Sequence, residues 1–177
     1  MIKLNRSLPN TVTVDGREFF IKTDFRYWLL FDEIIKKKNF YLSDLEFLFV
    51  DDIPDSNFIG ALVDFYKNPN STPRGKGSGE EVLDYQQDGE FIYASFMFAY
   101  GIDLLDPDLS LHWHQFKALV IGLPSNAFMS EVITMRSYNP DNRKMDTIAK
   151  ERKRRWSLPK EIDKEILEEI DQDFYNA

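Results

Sequence analysis

A chain of 177 residues that is 43% apolar and 15% aromatic can build a real core, and its lack of cysteine excludes disulfides and thiolate metal sites. Its 30 acids against 22 bases, a net charge of −8, argue against nucleic-acid binding by the surface as a whole, which needs a basic footprint. No apolar run approaches the roughly 20 residues of a membrane span, and MIKLNRSLPN lacks a signal-peptide core, so a cytoplasmic chain with no membrane partner is expected.

Val12 and Val14, then Asp15-Gly16, then Arg17 to Ile21 form a hairpin signal, because Asp-Gly suits a two-residue type I′ turn. That register puts Val12, Val14, Phe19 and Ile21 on one face and Thr11, Thr13 and Glu18 on the other. A lone hairpin is marginal in water, so its apolar face packs on helices or meets a partner's strand. Both edges read as open, which makes strand addition the alternative to a simple lid. Thr23 or Asp24 then caps a helix to about Lys37, with Trp28, Phe31 and Ile35 as its stripe. Ser43-Asp44-Leu45-Glu46 has the capping-box form and predicts a short helix to about Val50. Asp55 or Ser56 caps a third helix burying Phe58, Leu62, Phe65 and Tyr66.

Residues 68–83 read as a flexible linker, rich in glycine and proline over Asn68 to Glu80. The run Gly75-Lys76-Gly77-Ser78-Gly79 lacks the order of a phosphate loop and no buried strand precedes it. The linker separates a hairpin-plus-helices unit, 1–67, from a helical core, 84–156, and residues 157–177 form an acidic amphipathic helix or tail. The expected fold is mainly α with a small N-terminal β-hairpin, a compact helical domain.

The helical core opens with Phe91 to Tyr100, apolar almost all round, so it must be covered on several sides. Gly101 reads as its C-cap. Ser110 reads as the N-cap of a second helix with Leu109, Trp113, Phe116 and Val120 on one stripe, and the short join predicts that the two lie side by side. Ser125 or Asn126 caps a further helix carrying Phe128, Val132 and Met135, and Asn139-Pro140-Asp141-Asn142 reads as a turn. A basic run follows from Arg143 to Arg155, closed by Trp156, and then the charge reverses in the tail around an Ile162, Ile166, Ile170 and Phe174 stripe. That tail is too short to be a stable helix unsupported.

The ordered set Ile102-Asp103-Leu104, Leu111-His112-Trp113, Phe116, Leu119, Gly122-Leu123 and Arg136 resembles one phage family. Asp88, Tyr93, Phe96 and Tyr100 match its polar-capped aromatic helix, and Thr23-Asp24-Phe25-Arg26 its opening motif. The family is the tail-assembly proteins encoded just ahead of the tape-measure gene in long-tailed phages of Gram-positive bacteria. The likeness spans most of residues 10 to 156 and departs at His114, where an aromatic is expected. It implies a non-enzymatic chaperone that binds the tape measure protein, recruits tail tube subunits, or does both. Such a protein acts in the cytoplasm of the infected bacterial host, beside a possible second tail-assembly chaperone, and is absent from the mature virion.

No catalytic, cofactor-binding or metal-ligating residue is nominated. His112 and His114, at i and i+2, would point about 200° apart on a helix and could not chelate together. Asp103, Asp106 and Asp108 lack the order of a calcium loop. Two features can bind a partner. Phe91, Tyr93 and Phe98 could present one side of the aromatic helix, the alternative being plain core; Arg143, Arg152, Arg154 and Arg155 could meet an acidic partner, the alternative being a solvated face. A nucleic-acid-binding regulator using 143–155 is the second functional reading, disfavoured by the acidic segment that follows directly.

Overall fold

The computed structural model describes residues 4–67, 82–138 and 147–158. Two strands, β1 (Thr11–Val14) and β2 (Arg17–Phe20), pair antiparallel with Val14 opposite Arg17. Asp15 at φ 50° and Gly16 at φ 79° both take the left-handed conformation that a type I′ turn requires. Val12, Val14, Phe19 and Ile21 are all buried. The edges, however, are not both open. Lys22 N donates to Leu48 O at 2.7 Å, Val50 N donates to Phe20 O at 3.1 Å, and Ile21 bridges to Phe49. The pairing segment is too short and irregular to announce itself by alternation.

Helix α1 (Phe25–Ile35) starts at Asp24, whose Oδ1 accepts from Arg26 N at 3.1 Å, and it ends short of Lys37. The expected capping box at Ser43 is displaced. Leu42–Leu48 is a 3-10 helix, and the acid that reaches back is Asp44, accepting from Tyr41 N at 2.9 Å. Helix α2 (Ile59–Lys67), which supports β1, begins with Asn57 Oδ1 accepting from Ile59 N rather than with Asp55 or Ser56.

Helix α3 (Gly89–Tyr100) closes on Gly101 at φ 64°, as a left-handed C-cap. Helix α4 (Trp113–Ile121) is capped by His112 and not by Ser110. The side-by-side arrangement of α3 and α4 is also corrected. The join, 101–112, is long enough to cross the molecule, so α3 packs chiefly on α5 (Phe128–Ser137) and α4 on α1. The two helices meet through Phe96 stacked on Phe116 at 5.4 Å and through Tyr100 Oη donating to Leu119 O at 2.9 Å. No side chain of Ser125 or Asn126 caps α5; Ser95 Oγ, from α3, accepts from Met129 N at 3.0 Å. The buried face of α5 is Met129, Val132 and Arg136, so the expected stripe through Phe128 and Met135 is rotated. Helix α6 (Thr147–Trp156) lies on α5.

A single aromatic core runs through both halves of the chain. Phe25 stacks on Phe116 at 4.8 Å, Trp28 packs on Phe65 at 4.5 Å, and Trp113 stacks on Tyr66 at 5.1 Å. These contacts join α1 to α4 and both to α2, so helices on either side of the 68–83 stretch share one interior. The expected linker lies outside the described residues except at its last two positions, and so do the 139–142 turn and the tail beyond 158.

Candidate partner-binding face

Two arginines fix the frame on which any binding face must sit. Arg26, at the start of α1, turns its guanidinium onto the 101–112 connection. Nη1 donates to Leu109 O at 3.0 Å, and Nη2 donates to Asp106 O at 2.6 Å and to Leu104 O at 3.4 Å. Asp24 belongs to the same knot: its Oδ2 accepts from Leu111 N at 3.3 Å. Phe25 N donates to Leu111 O and Trp113 N to Thr23 O, so the starts of α1 and α4 are bound to each other. Asp103 and Asp106 close turns by accepting from Leu105 N and Asp108 N.

Arg136 is the second. It is buried on α5, and its Nη1 and Nη2 donate to Asp88 Oδ2 and Oδ1 at 2.6 and 2.8 Å. A planar guanidinium on a carboxylate gives a bidentate pair that lysine cannot copy. Nη1 also donates to Val82 O at 3.2 Å and Nε to Trp156 O at 2.6 Å, while Asp88 Oδ2 accepts from Asp84 N. One side chain thus ties the approach to α3, the length of α5 and the end of α6.

Trp156 completes that junction, edge-on to Phe91 at 5.7 Å and to Phe128 at 5.8 Å. Phe91 is therefore half-buried under α6, and Tyr93 is also half-buried, whereas Phe98 is exposed, 63%, with Met97 beside it. Arg152, Arg154 and Arg155 are exposed on α6, on one open surface with Ile148 and Glu151. Arg143 lies outside the described residues. The basic and aromatic candidates are thus neighbours, joined through Trp156 and Phe91.

The two histidines serve the core. His112 sits outside the helix as its cap, on extended backbone, so the two rings do not point about 200° apart as expected but lie 5.1 Å from each other. His112 Nδ1 accepts from His114 N, which leaves the proton on Nε2 facing Pro9 O at 2.9 Å. His114 stacks on Phe65 at 4.6 Å and donates from Nε2 to Phe65 O, filling the place expected of an aromatic. Burial lowers both pKa values; for His114, to about 4, the bond to Phe65 O opposes this and the charges of His112 and Lys117 add to it.

An ionic cluster that sequence reasoning missed joins α1, α2 and the residues before α3. Tyr66 Oη donates to Asp32 Oδ1, and Lys36 Nζ lies 3.0 Å from Asp32 Oδ2 and 3.2 Å from Asp84 Oδ2. Burial disfavours the Lys36 charge, but Asp32 and Asp84 outweigh it and hold the ammonium charged. The i, i+4 spacing of Asp32 and Lys36 was a signal for the pair, while Asp84 could be found only through the fold.

A family model places the chain among bacteriophage proteins. The family is described as Bacteriophage Gp15 protein, its model matches residues 4–161, and the chain belongs to it. No curated protein and no solved structure matches the chain. Among the described residues no helix is long and apolar enough to cross a membrane.

Proposed function

We propose that this phage protein is a non-enzymatic tail-assembly chaperone that binds the tape measure protein, recruits tail tube subunits, or does both. It works in the cytoplasm of the infected host and is left out of the finished virion. Membership of the phage family supports this reading, as do the motif residues, which hold helix ends: Asp24, Arg26, Asp88, His112 and Arg136 all spend their polar atoms on backbone or on one another. The observation that carries it is the unfinished cover of α3, a helix apolar almost all round that leaves Met97 and Phe98 in solvent. Such a face suits an amphipathic helix laid in groove fashion, and the tape measure is the long helical protein a tail chaperone must keep soluble.

Co-purification with the tape measure protein tests the proposal. Capture should survive moderate salt and be weakened at least tenfold by Phe98→Glu. The exposed Arg152, Arg154 and Arg155 favour the nucleic-acid reading, and salt separates the two: DNA binding that falls steeply with salt, with no tape-measure capture, would replace the chaperone assignment.

A further inference from the structure

None of the ten residues of α6 is buried. The helix lies along α5, and its apolar anchor is Trp156, which packs edge-on against both Phe91 of α3 and Phe128 of α5 while its backbone carbonyl accepts from Arg136 Nε. Lys150, Arg152, Arg154 and Arg155 place like charges at i, i+3 and i, i+4 on its turns, with Glu151 the acid among them, and such spacings weaken a helix. By contrast the parts of the seat beneath are bound to one another. Phe91 and Phe128 are themselves edge-to-face at 5.1 Å, and Arg136 is locked on Asp88 by two short bonds. An internally bonded seat thus carries an occupant whose apolar anchor is one side chain.

From this we propose that the seat formed by Phe91, Phe128 and Arg136 is a partner-binding socket and that α6 occupies it as an internal stand-in. The partner it fits is an amphipathic helix with one aromatic side chain in its last turn. The ring packs against Phe91 and Phe128 together, where edge-on geometry is favourable. The helix-end carbonyls, which no longer have intrahelical donors, meet the Arg136 Nε that Trp156 O now satisfies. Binding lifts α6, so the aromatic and the basic candidate surfaces act in sequence. The identity of that helix as part of the tape measure rests on the function proposed above; the socket itself does not.

Two arms test this on the full chain, and the first needs no tape measure. A labelled peptide of residues 147–158 is titrated into the wild type, Trp156→Ala, and Trp156→Ala with Phe91→Leu, each shown by cooperative melting to be folded. The peptide should bind Trp156→Ala at least tenfold more tightly than the wild type, and Phe91→Leu should reverse the gain. Equal binding to all three, or none to Trp156→Ala, would overturn the socket. In the second arm, Trp156→Ala should strengthen capture of the purified tape measure protein several-fold. Capture that is unchanged by Trp156→Ala and by Phe91→Leu would sink the displacement while leaving the chaperone function standing. No capture by any variant would sink that function, and the peptide arm would still decide the socket. A wild-type dimer dissolved by Trp156→Ala would assign the seat to α6 of a second copy and overturn the partner named here.

Discussion

The Arg136 guanidinium lies square on the Asp88 carboxylate, at 2.6 and 2.8 Å, with Asp88 wholly buried and Arg136 nearly so. Removing one member of such a pair leaves an uncompensated charge in the interior, which costs about 3–5 kcal/mol. Arg136→Met and Asp88→Leu should each lower the unfolding free energy from urea titration by that much, and the double variant should lose clearly less than their sum. Additive losses would mean that the two side chains contribute independently.

Trp113 is fully buried, stacked on Tyr66 and Phe116, edge-on to Tyr85, with Nε1 donating to Tyr66 O at 3.0 Å. Its truncation to alanine opens a cavity, while Tyr66 O keeps its bond from Lys117 Nζ, so Trp113→Ala should destabilise by about 3–5 kcal/mol, chiefly through lost packing. An unchanged melting temperature would contradict the burial.

His112 and His114 both sit below the ordinary histidine value, His114 at about 4, with burial the first cause in each. The unfolded chain therefore binds protons more readily, and this source of stability is full above about pH 6.5 and lost as pH falls toward about 4. Protonating His112 at Nδ1 would also remove the acceptor that caps α4. Asp84 stays out of this window: burial raises its pKa, but the Gln87 N–H and then Lys36 outweigh it and bring the value below the ordinary one. Melting temperature should drop between about pH 7.5 and about pH 5, and His114→Phe, which keeps a ring on Phe65, should show a shallower drop. An equal drop in the variant would locate the acid sensitivity elsewhere.

Arg26 holds three carbonyls of the 101–112 connection. Arg26→Ala should cost about 1–3 kcal/mol, in line with charged hydrogen bonds that are partly exposed. Amide exchange should quicken over 102–111 before it changes in α2 or α5. Uniform quickening over the whole chain would show that the connection is not a separate unit of stability.

The hairpin was legible because its signal is local: Asp15-Gly16 sets the turn, and the turn sets which residues face inward. The aromatic core was legible as a set of residues, and Gly101 as a stop, for the same reason. Among helix starts Asp24, the cap of α1, was legible, and the later ones were not. Ser43, Ser110, Ser125 and Asp55 are competent caps by type, yet Asp44, His112, Ser95 and Asn57 supply the bonds, and Ser95 reaches α5 from α3. Capping between distant elements leaves no trace in spacing. The same holds for Phe91: its apolar neighbours mark it as a contact residue, but nothing in the sequence says that Trp156 is what covers it.

The mutual binding of the starts of α1 and α4 has a consequence for synthesis on the ribosome. Asp24 and Leu111, whose side chain and amide are joined, stand 87 residues apart. The local Asp24–Arg26 cap can form early, but the bonds from Leu111 and Trp113 to the start of α1, and the stacking of Phe116 on Phe25, must wait until residue 116 has cleared the exit tunnel. Contacts so distant in sequence slow folding and make it concerted. A nascent chain halted before α4 should be readily cleaved by protease, and one released beyond α5 should become resistant in a single step.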